Sequence, residues 1–253
     1  MRIEGTRAWI TGGSSGIGAA LARELAAGGA EVAITARRAE LLEQVADSAE
    51  GPGEVHAYPG DVRDRDQLVE LAERIRHDLG PIDLAVLGAG TWQQVDVAHW
   101  DSAPIREHIE TNLLGMVNSL DAVLPAMVDR GSGRIVGIAS VAGYRGYTRA
   151  EAYGTTKAAE INLLESLRID LAPLGIRVQT VNPGFVRTPL TRRNRFPMPF
   201  MIEAPDAARR IVRAIERDKA EAVFPLPYLV GMKLIRFAPV RPYTGVSAWL
   251  AGR

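Results

Sequence analysis

The chain of 253 residues contains no cysteine, so disulfides and thiolate metal sites are excluded and the fold must be held by its core alone. It also has no net charge, with 30 basic against 30 acidic residues, whereas a nucleic-acid partner would usually leave a basic excess. Lysine is nearly missing: arginine supplies almost all the positive charge, and only Lys157, Lys219 and Lys233 break that rule, which makes each lysine's position informative. No stretch reaches about 18 uninterrupted apolar residues, so no membrane-spanning helix is expected. The opening run, MRIEGTRAWITGG, enters a strand-like segment without an apolar signal region, and a cytoplasmic location is expected. No internal repeat, low-complexity tract or Pro/Gly-rich linker divides the chain, so residues 1–253 are read as a single domain.

What is present is alternation. Short apolar runs at 7–11, 31–35, 54–58, 82–87, 134–139, 176–181 and 221–224 predict strands; helical periods near 17–28, 38–49, 64–79, 104–130, 151–172 and 205–218 separate them. Right-handed crossovers between such strands give a single Rossmann-like, doubly wound α/β domain, a seven-stranded mainly parallel sheet with helices on both faces. Ligands of such sheets sit beyond the carboxyl ends of the strands, so chemistry is expected just after each strand.

The first such place is TGGSSGIG at 11–18. Gly12, Gly16 and Gly18 permit a tight turn and close approach of backbone N–H groups to a pyrophosphate; Ser14 and Ser15 can add hydroxyl donors, and the helix opening at Ile17 points its positive end at the phosphates. The competing reading is a glycine-rich turn without a ligand, but its strand–loop–helix placement favours a dinucleotide. No GK[ST] follows, which excludes a Walker loop. The residue that ends the second strand selects the cofactor: a carboxylate suits NAD, whereas Arg37 and Arg38 suit the 2′-phosphate of NADP(H), with NAD(H) the lesser reading. Two solvated arginines at a helix start are the alternative, a placement that the helix dipole mildly disfavours.

Tyr153 and Lys157 are four residues apart on a predicted helix and so share a face. With six tyrosines and three lysines, chance supplies such a pair only about 0.07 times per chain. A free phenol has a pKa of about 10, and bringing it to about 7 takes about 4 kcal/mol. An ammonium about 4 Å away at an effective dielectric of about 20 supplies that much, so Tyr153 is expected to exchange a proton with an alcohol or alkoxide. Ser140, after the strand RIVGIA, can donate to the substrate oxygen; read alone, it is an ordinary loop serine. Asn112, within TNLLG, could anchor water beside Lys157; read alone, it is a helix residue bonded to nearby backbone.

Taken together, TGGSSGIG, Asp61-Val62, Asn112, Ser140, Tyr153-x3-Lys157 and NPGFVRTP at 182–189 resemble the short-chain dehydrogenase/reductase superfamily, in its compact subclass of about 250 residues, over residues 5–225. The resemblance implies a tetrad of Asn112, Ser140, Tyr153 and Lys157. It implies that Asp61 and Val62 contact the adenine, that Ala89 and Gly90 line the adenosine side, and that Lys157 also bonds the nicotinamide ribose. It places Pro183, Gly184, Phe185, Val186 and Thr188 around the nicotinamide, and implies homodimers or homotetramers joined through the helices at 104–130 and 151–172. Two features depart from the family: Leu87-Gly88 stands where two asparagines are usual, and the Asp-Gly-Gly stretch after the last strand is absent.

Residues 188–204 form the expected substrate lid, with Phe196, Met198, Phe200 and Met201 as an apolar wall and Arg192, Arg193 and Arg195 beside it; alternatively these apolar residues only pack the lid. Residues 225–253 are an atypical extension, in which Lys233 and Arg236 share one side of a short helix bearing Leu234, Ile235 and Phe237. Packing on the core or on a second subunit is the expected role, contact with a membrane surface the alternative. The expected function is NADP(H)-dependent hydride transfer to or from a small-molecule carbonyl or secondary alcohol of fairly apolar character, with Tyr153 as general acid/base and no metal. Ala150 stands where a divergent enoyl reductase would need tyrosine, and there is no room for an epimerase's larger substrate domain. A non-enzymatic NADP(H) sensor or scaffold is the alternative from another class.

Overall fold

A computed structural model describes residues 1–194, 196–225 and 235–250, with backbone alone at Arg193, Val246 and 248–250. The strands β1 (Arg7–Thr11), β2 (Glu31–Thr35), β3 (Val55–Ala57), β4 (Leu84–Leu87), β5 (Gly133–Ile138) and β6 (Ile176–Pro183) follow the apolar runs. A short pair, β7 (Val186–Arg187) and β8 (Ile202–Glu203), precedes β9 (Glu221–Phe224). Seven of these form one parallel sheet in the order β3-β2-β1-β4-β5-β6-β9, the doubly wound arrangement. Its order reverses between β1 and β4, which opens a crevice at their carboxyl ends.

Period-two alternation divides each strand between two cores. Ile10, Ile34, Val86, Val136 and Val181 face α1 (Gly16–Ala27), α2 (Ala39–Asp47) and α7 (Ala204–Glu216), where Leu21, Leu25, Leu42 and Ile211 are fully buried. Trp9, Ala85, Leu87, Ile135 and Val178 face the opposite layer of α3 (Arg65–Leu79), α5 (Gly115–Arg130) and α6 (Glu151–Leu171). Leu87 is 1% exposed. The aliphatic residue in place of a family asparagine is therefore a core residue, worth about 2 kcal/mol of burial.

The expected helix at 104–130 is helical throughout but not a single α-helix. It consists of α4 (Ala103–His108), a π-helical turn at Ile109–Leu114 and then α5. A π turn inserts one residue into the helical register and rotates the residues around it. Gly115 closes it because Val62 presses there: a Cβ at that glycine would lie 2.7 Å from Val62 Cγ2. Asn112 sits inside the turn.

The described part of the C-terminal extension packs on the loop after β5. Ile235 joins Ala139, Val141, Tyr144 and Ile161, and Arg236 lies over the Tyr144 ring at 5.7 Å. In α8 (Val240–Leu250), Tyr243 donates to Gly146 O at 2.5 Å and its ring carries the Arg145 guanidinium at 4.8 Å. Phe237 is turned to solvent. Lys233 and Leu234, on which the expected shared helix side depends, lie outside the described residues. Among the described residues no helix is long and apolar enough to cross a membrane.

Candidate active site

The turns after β1 and β4 meet at the reversal point. Gly12 has φ of 78°, and a Cβ there would lie 2.7 Å from Gly88 O. A Cβ on Gly18 would come within 2.3 Å of Gly12 O. Gly88, the other residue that stands where an asparagine is usual, has its own cause: its N–H donates to Thr11 O and to Thr11 Oγ1, both at 3.2 Å, in that same close contact. Ser15 precedes α1 in extended conformation and its side chain makes no capping bond, so the first N–H groups of the helix have no acceptor from their own cap. A glycine cradle against uncapped helical N–H groups is the donor set that a pyrophosphate requires. Ser14, Gly16 and Ile17 are half-buried in this turn, and the methyl of Thr188 lies across it, 3.0 Å from where a Gly16 Cβ would be.

Arg37 and Arg38 follow β2 and are exposed, and their guanidiniums make no hydrogen bond or ion pair with any described residue. Asp61 is engaged by its own neighbours. Its carboxylate is gripped by Arg63, with Nε at 3.0 Å and Nη2 at 2.5 Å, and its N–H donates to Gln67 Oε1 at 2.7 Å. The bond from Arg63 holds this carboxyl below the usual range, and Arg37 adds to the effect. Val62 is buried and its carbonyl accepts from Asn118.

Gly90 runs close to the lysine: a Cβ there would be 3.4 Å from Asn112 Oδ1 and 3.9 Å from Lys157 Nζ. Ala89, beside it, packs against the core under α3 and α5. On the other side, Pro183 ends β6, Gly184 N–H donates to Phe224 O at 2.7 Å, and Val186 is buried in β7. Thr188 is tied to Thr191, whose hydroxyl also donates to Val186 O.

Ser140 lies two residues beyond β5. Its Oγ accepts from Ala142 N–H at 3.1 Å, capping the short turn at Val141–Gly143, and points to Pro183 O at 3.5 Å. The Asn112 side chain is held by protein groups. Oδ1 accepts from Thr91 N–H at 2.7 Å, and Nδ2 donates to Thr91 O and Thr156 Oγ1. Three of its four hydrogen-bonding positions are thus used to fasten α6 to the β4 loop.

Tyr153 and Lys157 share the buried side of α6, with Nζ 5.5 Å from the ring centroid. Trp92 and His108 meet the same ring edge-on at 5.2 and 6.5 Å. Nζ donates to Ile138 O at 3.0 Å and to Glu160 Oε2 at 2.9 Å. Burial works against the ammonium, but the charge of Glu160, the Tyr153 neighbour and the hydrogen bond outweigh it, so Lys157 holds its proton more tightly than usual. Burial pushes Glu160 up to about 7, with Lys157 partly offsetting it. His108 is fully buried; Nδ1–H donates to Pro104 O and Nε2 accepts from Gln93 N–H, and burial lowers its pKa.

Trp92, His108 and Glu160 were not singled out from the sequence. Glu160 alone carried a signal there, as a carboxylate on the buried stripe of Lys157, Ile161 and Leu164. In the lid, Trp92 Nε1 donates to Asn194 Oδ1 at 2.6 Å, and the Phe185 and Phe196 rings lie 5.9 Å apart. Phe200 is 61% exposed, Met198 and Met201 are half-buried, Arg192 is exposed, and Arg195 lies outside the described residues.

The sequence model of the short chain dehydrogenase family matches residues 6–197. The chain belongs to that family. It is 37% identical over 233 residues to an oxidoreductase of Myxococcus xanthus, covering 92% of each chain. A 3-oxoacyl-[acyl-carrier-protein] reductase of Thermotoga maritima is 36% identical over 194 residues, 76% of this chain and 79% of that one. Among solved structures, a short-chain dehydrogenase/reductase from Mycobacterium marinum superposes with a TM-score of 0.81 at 29% identity, over 89% of this chain and 96% of that chain. Levodione reductase gives 0.79 at 26%, over 87% and 95%. This short-chain dehydrogenase is thus an oxidoreductase of a family that binds NAD(P)(H), acts on small molecules and commonly forms oligomers.

Proposed function

We propose that this short-chain dehydrogenase is an NADP(H)-dependent reductase of ketones or aldehydes, running in reverse on secondary alcohols. The observation that carries the reading is the stacking of Tyr153 over the buried Lys157 ammonium, beside the Gly90 turn and across from the Ser140 loop. When bound, the nicotinamide dinucleotide supplies the hydride-transfer chemistry. Gly12, Gly16, Gly18 and the N–H groups of α1 would hold its pyrophosphate, and Arg37 and Arg38 its 2′-phosphate; the absence of any other partner for these two guanidiniums among the described residues supports NADP(H). Val62, Ala89 and Gly90 would line the adenosine, and Pro183, Gly184, Val186 and Thr188 the nicotinamide. Asp61 would contribute through its surroundings, because Arg63 takes its carboxylate.

In the reductive direction Tyr153 Oη gives its proton to the carbonyl oxygen as that oxygen gains negative charge, and in the oxidative direction it takes the alcohol proton. Lys157 stabilises the phenolate left behind. Ser140 donates to the same oxygen when its hydroxyl turns from Pro183 O. Asn112 keeps α6 and the β4 loop in register. The lid residues Phe196, Met198, Phe200 and Met201, with Trp92, suit a fairly apolar substrate, and the similarity to 3-oxoacyl and levodione reductases supports a carbonyl at the reacting end. Large apolar residues exposed on the helices that bear the site, among them Leu114, Val128 and Ile169, suit a homodimer or homotetramer.

The test is a screen of ketones, aldehydes and alcohols by reduced-cofactor absorbance, with NADP(H) and NAD(H) in parallel and Tyr153→Phe as control. Turnover on apolar ketones that prefers NADP(H) and falls at least about 100-fold in Tyr153→Phe is expected. Unchanged turnover in that variant would refute the role of Tyr153.

A further inference from the structure

The proposed chemistry uses Lys157 but leaves its closest charged neighbour unexplained. Glu160 is fully buried, one turn beyond the lysine on α6, and its Oε2 accepts from Nζ at 2.9 Å. Its other oxygen, Oε1, has no hydrogen-bond partner among the described residues. A carboxylate costs several kcal/mol to bury, and this one makes no structural use of half its acceptors. Ile161 and Leu164 on the same face are ordinary core residues, so an aliphatic side chain would pack there at no such cost. What the carboxylate does make is a tripod for the ammonium: Nζ is fixed between Glu160 and Ile138 O, below the Tyr153 ring.

We propose that Glu160 is a positioning residue that anchors the Lys157 ammonium and offsets part of its charge, and so sets the pH range in which the site turns over. The inference rests on the Tyr153–Lys157 reading above. Its sign follows from Coulomb's law: one negative charge beside the pair makes protons harder to remove from every nearby group. Removing it moves both limbs of the pH–rate profile to lower pH. The rise of alcohol oxidation, which needs the phenolate, comes earlier; so does the alkaline fall, which marks loss of the ammonium. Because burial pushes Glu160 up to about 7, the carboxylate exerts this effect above neutral pH and fades below it.

Few other groups could mimic the effect. From α4, His108 faces Tyr153 and is kept neutral by burial, with Glu107 acting on it from nearby. From the β5 loop, Tyr144 is held by Glu221 and Asn182, with Arg236 over its ring. Arg168, further along α6, is turned onto Val178 and Thr180 of β6. None of these makes a hydrogen bond to Nζ.

The experiment compares pH–rate profiles of alcohol oxidation and carbonyl reduction for the wild type, Glu160→Gln and Glu160→Asp, with melting curves to certify the fold. A second readout needs no turnover: the tyrosinate absorbance titration of each protein, less that of the same protein carrying Tyr153→Phe. Glu160→Gln is expected to lower the oxidation midpoint and the Tyr153 absorbance midpoint by about one pH unit, the size of one charge acting through the lysine at an effective dielectric of about 20. It should leave rates below pH 6 within about threefold of wild type, and Glu160→Asp should keep the wild-type midpoints. Superimposed profiles, or midpoints that rise, would overturn the proposal and leave Glu160 a structural residue. If Glu160→Gln does not fold, Glu160→Leu reads the same shift. Failure of the underlying reading shows separately, as full activity in Tyr153→Phe.

Discussion

The two sides of the crevice are made of different materials. On the side of β1 and β4, the walls are backbone: a Cβ at Gly12, Gly18 or Gly88 would lie 2.3–3.2 Å from a main-chain atom, which leaves no space for side chains. On the side of β6, the walls are side chains carried on loops. The lid between β7 and β8 is held by side-chain contacts, such as Trp92 with Asn194 and Phe185 with Phe196. A wall of backbone fixes one shape and suits a ligand that never changes. A wall of loop side chains can be altered one residue at a time without disturbing the sheet, which suits a substrate that differs between relatives.

The contrast is broken most severely on the rigid side. Gly12→Ala would place a methyl 2.7 Å from Gly88 O at a φ of 78°, where both neighbours are main chain and cannot turn away. Overpacking and left-handed backbone together should cost about 2–4 kcal/mol, seen as a lower chemical-denaturation midpoint, and dinucleotide affinity should drop at least about 100-fold by fluorescence titration. Wild-type affinity in this variant would show that the cradle is not where the dinucleotide lies. Next in size is the double substitution Arg37→Ala, Arg38→Ala. The guanidiniums hold nothing else among the described residues, so the fold should be unchanged while the NADP(H)-over-NAD(H) ratio of kcat/KM falls about 100-fold. A ratio that does not move would assign cofactor choice to other residues.

These differences also explain what could be read from the residues alone. The strands of the sheet were legible because parallel strands buried on both faces are continuous apolar runs, and the glycine loop because steric constraint leaves few residue types. Tyr153 and Lys157 were legible because helical periodicity places them on one face. The π turn was not, since a single inserted residue leaves the apolar pattern of 104–130 nearly intact. Nor were the bonds of Asn112 to Thr91 and Thr156, or of Asp61 to Arg63: local spacing does not tell which of several partners a polar side chain meets once the chain has folded. Trp92 and His108 reach Tyr153 only through the crossing of α4, α6 and the β4 loop.

On the adaptable side a smaller effect is expected. Trp92 touches the Tyr153 ring with one edge and holds the lid through its indole N–H. Asn194→Ala removes that bond, worth about 1 kcal/mol, together with the weaker one that Nδ2 gives Met198 Sδ at 3.3 Å, and should raise KM about fivefold while leaving kcat within about twofold. Trp92→Phe should do the same to KM. A fall in kcat with KM unchanged would instead mean that the clasp acts on the chemistry and not on closure of the lid.

The smallest effect concerns the histidine that joins the two sides. His108 is buried beneath Tyr153 and neutral, with Nε2 accepting from Gln93 N–H in the loop that carries Trp92. Burial depresses its pKa below the ordinary 6.5, the Pro104 hydrogen bond opposing only in part. The unfolded chain therefore takes up a proton in the acid range before the folded one does. Stability from this group is complete above about pH 6.5 and is lost as pH falls towards the folded pKa, at no more than about 1.4 kcal/mol per pH unit. Protonated Nε2 would also face the Gln93 N–H with a second donor, so the β4 loop should loosen as the charge arrives. His108→Gln keeps an acceptor and a donor but cannot titrate. Between pH 6.5 and 5 its denaturation midpoint should fall less steeply than that of the wild type, and parallel slopes would remove His108 from the list of groups that couple the lid side of the crevice to pH.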